Sequence, residues 1–199
     1  MIHPVPPGTR DVLPDEMREL RALTARLLVV FEEAGYGEVW TPTLEYEEVL
    51  RRGDDRAAGA GYRLFDEHGQ VLVLRSDMTI PIARVVSSRY SDRDVPIRLC
   101  YFAHAYRDVD MRSGQAREFL QGGLELIGIP EPQGDAEIAG LVIEALDTSA
   151  QRAQPPVDPL VAAVDLAYVS DLGHALGAQG GDQHRHSGAD VGRLQALAS

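Results

Sequence analysis

Two long runs of alternating side chains, Ile97 to Arg107 and Arg117 to Gly128, constrain this chain more than any other feature in it. The polar stretch between them, Asp108 to Ala116, has the composition of a loop, so the pair predicts one long antiparallel hairpin. Successive side chains on a strand point to opposite faces. The return strand therefore turns Leu120, Gly122, Leu124 and Leu126 one way and Gln121, Gly123 and Glu125 the other. A Gln and a Glu in mid-strand, separated by a residue without a side chain, predict a small hollow with a polar wall.

The remaining pattern surrounds this hairpin with helices. Pro14, Asp15 and Glu16 suit a first helical turn, Met17, Leu20, Leu27, Leu28 and Phe31 recur at helical spacing, and Gly35 follows as a stop, which predicts a helix from Pro14 to about Ala34. Glu38 to Thr41 is a predicted strand ended by Pro42, and Arg51 to Gly61 a charged, Gly/Ala-rich surface loop in which Arg51-Arg52 and Asp54-Asp55 mark a solvated turn. Arg63–Asp66 and Val71–Arg75 flank His68-Gly69 as a second hairpin. Thr79 is placed to cap a helix over Ile80 to Tyr90, with Pro81 tolerated in its first turn, and Asp135 to about Ala150 predicts a last amphipathic helix. Hairpins and helices alternate without a regular βαβ repeat, so the expected fold is mixed α+β on an antiparallel sheet.

Beyond Gln151 the texture changes. Residues 151–199 hold one aromatic, Tyr168, among many Ala, Gly and Gln, too little large apolar surface for a core of their own. The expected organisation is a main domain over 1–150 and an Ala/Gly-rich segment over 151–199, weakly helical or frayed.

Composition excludes several chemistries. Every one of the 19 basic residues is Arg, and Asn is absent, so a Lys-bearing phosphate loop, a Schiff-base enzyme and an N-glycosylation site all lack their residue. The single Cys100 cannot form an internal disulfide or a two-Cys metal knuckle, and its apolar surroundings predict a buried, inert thiol. His184 and His186 with Asp182 have weak metal spacing, a loop accident rather than a site, and neither metal nor cofactor is expected. No apolar stretch reaches the roughly 18 residues a membrane span needs, and no signal-peptide order opens the chain, so a cytoplasmic protein is expected. A net charge of −12 argues against a general grip on nucleic acid.

The chemistry-bearing residues converge on the hairpin. Asp77 and Glu125 supply carboxylates, Thr79 a hydroxyl, Gln121 an amide and Arg107 a guanidinium at the tip of the outgoing strand. Such a set suits a small zwitterion: carboxylates meet an ammonium or imidazole N–H, and Arg meets a carboxylate or phosphate. On pattern alone a solvated sheet face with Arg–Glu pairing explains the same residues. His104, between Ala103 and Ala105, suits a structural histidine better than a catalytic one.

An ordered series of motifs adds to this. Gly8-Thr9-Arg10-Asp11-Val12-Leu13-Pro14, Gly35-Tyr36-Gly37 followed by Thr41-Pro42, Leu74-Arg75-Ser76-Asp77-Met78-Thr79, Tyr106-Arg107, and Arg117-Glu118-Phe119-Leu120-Gln121-Gly122-Gly123-Leu124-Glu125 come in sequence. Over residues 6 to 150 the chain resembles the histidyl-tRNA synthetase family, which includes the regulatory subunit of ATP phosphoribosyltransferase as a paralogue. The resemblance implies an α+β fold with a class II aminoacyl-tRNA synthetase-like antiparallel sheet flanked by helices, incomplete at the C-terminus. Ser76-Asp77-Met78 resembles the regulatory branch, where the synthetase has Pro-Glu-Gly. Val109 stands where the synthetase's Glu seats adenine, Asp110 where its loop is not acidic, and Gln115 where it carries a second loop Arg. No Arg-Gly-Leu-Asp-Tyr-Tyr-like motif, third motif or anticodon-binding domain follows, so a truncated member is expected.

Carried over residue by residue, the resemblance implies histidine binding, with Asp77 and Thr79 on the ammonium, Glu125 on the imidazole N–H, and Gln121 and Arg107 at the carboxylate end. It implies a non-catalytic regulatory subunit of ATP phosphoribosyltransferase that supports the first step of histidine biosynthesis and senses histidine. The implied partners are a short-form catalytic subunit and a second copy of the chain within a hetero-oligomer. The alternatives are a histidyl-tRNA synthetase fragment forming histidyl-adenylate, with Arg107 on the α-phosphate, and a stand-alone amino-acid-binding module.

Overall fold

A computed structural model of the chain describes residues 5–53, 61–90, 95–108 and 116–150. In chain order the elements are α1 (Pro14–Glu33), β1 (Gly37–Glu38), β2 (Leu44–Tyr46), α2 (Glu47–Gly53), β3 (Arg63–Phe65), β4 (Val71–Leu74), α3 (Thr79–Arg89), β5 (Ile97–Tyr106), β6 (Glu118–Ile127) and α4 (Gln133–Ala150). The two strands of the long hairpin, β5 and β6, pair antiparallel from Ile97↔Ile127 to Tyr106↔Glu118. The shorter hairpin is also present, with β3 against β4, and β2 pairs antiparallel to the other edge of β4.

The first helix starts and stops where its residues dictate. Pro14 opens it, Asp15 and Glu16 place negative charge at the positive end of its dipole, and Gly35 at φ +85° lets the chain turn out of it. Packing then sorts the faces of the main sheet. Leu27, Val30 and Phe31 of α1 meet Cys100 of β5, Leu124 and Leu126 of β6, and Ile138, Leu141, Val142 and Ala145 of α4. On the opposite face Met78 lies with Ile82 and Val86 of α3 against Ile97, Leu99, Tyr101 and Ile127. The sheet is thus covered on both sides, and the face carrying Gln121 and Glu125 is the one under α3.

Four expectations change. The strand over Glu38–Thr41 shortens to β1, which pairs parallel to β5 and departs from an all-antiparallel sheet. Val39 N still donates to Cys100 O at 2.9 Å, but the carbonyls of Thr41 and Pro42 go to Arg75, which takes the chain out of the ladder. Parallel pairing needs a long crossover, supplied by everything between β1 and β5. Arg51 to Gly53 belongs to α2 rather than to a loop, with Arg51 and Arg52 one turn from Glu47 and Glu48 as ion pairs of the i,i+4 kind. Thr79 is the first residue of α3, not its cap: Met78 holds the cap position, with no side-chain cap bond. The last helix begins at Gln133, two residues ahead of Asp135. The 151–199 segment, with His184 and His186, lies outside the described residues, as do Asp54-Asp55, Val109, Asp110 and Gln115.

Candidate functional site

The site is built on a pinned turn. Arg75, at the end of β4, is buried, and its guanidinium donates to His104 O at 2.7 Å, Thr41 O at 2.8 Å and Pro42 O at 3.1 Å. Its own carbonyl accepts from Tyr106 N at 2.9 Å. A fixed five-donor fork can join three chain segments in this way, which a flexible ammonium cannot do as well. The turn is thereby held against the end of β5 and delivers Asp77 and Thr79 to the α3 side of the hairpin.

There the structure brings Asp77 and Thr79 to Glu125, with Gln121 farther along the same face of β6, beyond Gly123. Gln121 and Glu125 are each 1% exposed, a degree of burial these residue types rarely show. The Thr79 hydroxyl hydrogen-bonds the Glu125 carboxyl, and Asp77 acts on it by charge. Oε1 of Glu125, Oε1 of Gln121 and the Ser76 hydroxyl oxygen are buried with no hydrogen-bond partner among the described residues. Burial pushes the Glu125 carboxyl up to about 8, against the pull of the Thr79 hydrogen bond and with a further push from Asp77. Buried acceptors are nearly always satisfied in folded proteins, so a group of them on one face marks a place where donors from outside belong.

The expected hollow at Gly123 is already filled. Register sets Tyr101 opposite Gly123, and a Cβ on Gly123 would run into the Tyr101 ring and hydroxyl. The glycine is needed because the phenol lies across it, which makes Tyr101 a wall of the site between Gln121 and Glu125. Spacing along one strand could not reveal this, since it depends on the register of the other. On the far face Gly122 makes the same room for Phe102, whose ring carbon would stand 2.8 Å from a Cβ there.

Arg107 is at the tip of the hairpin. Its backbone N donates to Arg117 O at 2.9 Å, and its guanidinium carbon lies 4.7 Å from the centre of the Phe119 ring, a cation–π distance. Strand alternation puts it on the Gln121 face, beyond the buried cluster rather than inside it. His104 is exposed, not a packed structural histidine. It borders a separate cavity of about 340 Å³ between α1 and the opposite face of the sheet, alongside Phe102 and Leu120. Cys100 is buried, and desolvation pushes its thiol up to about 12, the state of an unreactive group. Among the described residues no cluster of three or more His, Cys, Asp or Glu is arranged to hold a metal, and no helix is long and apolar enough to cross a membrane.

This arrangement has relatives. A family model described as histidyl-tRNA synthetase matches residues 8–172. The chain belongs to the histidyl-tRNA synthetase family. It is 44% identical over 147 residues to the ATP phosphoribosyltransferase regulatory subunit of Symbiobacterium thermophilum, a match covering 71% of this chain and 36% of that protein. Among solved structures it is similar to an ATP phosphoribosyltransferase regulatory subunit/histidyl-tRNA synthetase from Bacillus halodurans, with a TM-score of 0.69 and 36% identity over 76% of this chain and 39% of that one. Staphylococcus aureus histidyl-tRNA synthetase aligns with a TM-score of 0.62 and 25% identity over 74% of this chain and 40% of its own. The chain spans little more than a third of the length of the curated relatives it matches. The mixed α+β architecture, its long antiparallel hairpin and its flanking helices are those of this family's class II fold.

Proposed function

We propose that this chain acts as a regulatory subunit of ATP phosphoribosyltransferase, without catalysis of its own, and that its buried acceptor cluster binds histidine. The observation that carries the reading is the Asp77–Glu125 pair, two carboxyls with the Thr79 hydroxyl beside them and Gln121 farther along the same face of the sheet. A ligand entering there must bring N–H donors and positive charge, which is what an amino acid with an imidazole side chain brings. In this reading Asp77 and Thr79 hold the ammonium, Glu125 the imidazole N–H, and Gln121 and Arg107 the carboxylate end. The relatives with 41–44% identity named as regulatory subunits support the choice of branch. The partner is a short-form catalytic subunit, the assembly a hetero-oligomer around a homodimer in the cytoplasm, and the step supported is the joining of ATP to phosphoribosyl pyrophosphate that opens histidine biosynthesis. Histidine would regulate by binding one assembly state better than another, since a ligand indifferent to both shifts neither.

A second reading, formation of histidyl-adenylate, is favoured by the similarity to the S. aureus synthetase. One pair of assays separates the two. The chain is mixed with a short-form catalytic subunit and phosphoribosyl-ATP formation is followed, and histidine-dependent ATP–pyrophosphate exchange is run on the chain alone. Stimulation without exchange is the expected result; exchange without stimulation overturns the regulatory reading.

A further inference from the structure

The mouth of the long hairpin is held from outside by the segment before α1. Past the last paired residues, Tyr106 and Glu118, the strands stay together through Arg107 N, which donates to Arg117 O at 2.9 Å. Arg117 N in turn donates to Gly8 O at 2.8 Å, so the backbone of Arg117 links Arg107 to the N-terminal segment. That segment is fastened on both sides of Gly8. Thr9 donates to Pro6 O through its N–H at 3.1 Å and its hydroxyl at 2.7 Å, and Arg10 donates to Glu16 in the first turn of α1, with Nη1 2.8 Å from Oε2.

Position 8 has room only for glycine. Its φ is +81°, a left-handed conformation that strains any side chain. The stem of Arg117 also lies on it: a Cβ there would stand 2.7 Å from Cγ, 3.0 Å from Cδ and 3.1 Å from Cβ of Arg117. The far end of Arg117 forms an ion pair at 3.4 Å with Asp108, the residue after Arg107. Arg107 and Arg117 stand opposite each other at the end of the hairpin, on the face that carries Gln121, and the Arg107 guanidinium lies over Phe119. One run of contacts therefore leads from Gly8 through Arg117 to Arg107.

Resting on the histidine-binding reading, we propose that Gly8 is a positioning residue for Arg107: by seating Arg117 against the N-terminal segment it sets the end of the hairpin, and with it the guanidinium that meets the ligand's carboxylate. Gly8 itself touches no ligand. An Arg recognises a carboxylate through a fork of parallel N–H···O bonds, so a displaced backbone loses bonds even where the charge is still near. The other half of the ligand is gripped from elsewhere. Asp77 and Thr79 are delivered by the turn that Arg75 pins, and Glu125 by the far end of β6, so their hold on ammonium and imidazole does not pass through Gly8.

The test compares L-histidine with histamine, which keeps the ammonium and the imidazole and lacks the carboxylate, by titration calorimetry on the full chain and its variants. The unaltered chain is expected to bind histidine about tenfold more tightly than histamine, the worth of a charge-assisted hydrogen bond. Gly8→Ala is expected to lose most of that margin on histidine and to leave histamine within about twofold. Arg107→Ala is expected to lose the margin as well, and the double variant no more than Arg107→Ala alone, since Gly8 acts through Arg107. Arg10→Ala frees the segment from α1 at a partly exposed pair without straining residue 8, and a smaller loss confined to histidine is expected there, which decides the matter even where Gly8→Ala does not fold. Equal affinities of the unaltered chain for the two ligands, equal losses on both in the variants, or no loss on either, overturn the positioning and leave histidine binding standing. No histidine bound to the unaltered chain, with that chain folded by circular dichroism, overturns both.

Discussion

At the residue scale, Glu125 and Arg75 are the two most consequential side chains, and they differ in how visible they are in the sequence. Glu125 is legible because a carboxyl in mid-strand beside Gly and Gln breaks the apolar pattern expected of a covered sheet. Arg75 is not, because nothing in its own position tells that three carbonyls from two other segments turn toward it. The one-strand alternation that placed Gln121 and Glu125 together also implied an open hollow at Gly123, and the Tyr101 ring that fills it belongs to the neighbouring strand. Replacement of Glu125 by Ala removes a charge-assisted hydrogen bond to the ligand, so histidine affinity is expected to fall by about 1.5–3 kcal/mol. Isothermal titration of the Glu125→Ala chain measures it, and an unchanged isotherm removes Glu125 from the site.

At the scale of elements, the long hairpin was readable and its neighbours less so. Both strands of β5–β6 carry a period of two over ten residues, a signal that short strands cannot match. By contrast β1 has two residues and β2 three, and their pairing is fixed by tertiary contacts rather than by local pattern. The short helix α2 has too few apolar residues to show a helical period, and its signal lies instead in the spacing of Glu47 and Glu48 from Arg51 and Arg52, four residues on. The hairpin's own packing gives a test. A methyl group at position 123 meets the Tyr101 ring in a site with no slack, so Gly123→Ala is expected to lower stability by about 1–3 kcal/mol, the usual range for overpacking. Combining it with Tyr101→Leu, which opens the space, is expected to recover part of the loss. Urea unfolding of the single and double variants measures the coupling, and simple additivity of the two losses would show that ring and methyl do not compete.

At the scale of the whole molecule, the acceptor cluster makes stability depend on pH in a direction opposite to that of an ordinary ion pair. The pair of Glu137 with Arg98, at 2.7 and 2.8 Å, and its acceptance of the Tyr36 hydroxyl hold the Glu137 carboxyl below its ordinary 4.5, with the Arg98 hydrogen bond the largest cause. Its contribution is present above that ordinary value and is lost as pH falls through the lower one. Glu125 behaves in reverse. In the unfolded chain it ionises around 4.5, while in the folded molecule it holds its proton until about 8. Across that window the folded state binds the extra proton, so the contribution is full below about 4.5 and is lost as pH rises toward about 8. A Gln at 125 carries no proton to lose, and Glu125→Gln is therefore expected to be more stable than the unaltered chain at pH 8, by a margin that shrinks steadily toward pH 5. Urea unfolding of both chains at several pH values between 5 and 8 reads the margin directly. Parallel profiles would mean that Glu125 ionises alike in the folded and unfolded chain, which its burial and the nearness of Asp77 argue against. The cost falls where a ligand would remove it: a bound cation lowers the Glu125 carboxyl again, so the same titration repeated with saturating histidine is expected to flatten the slope of the unaltered chain.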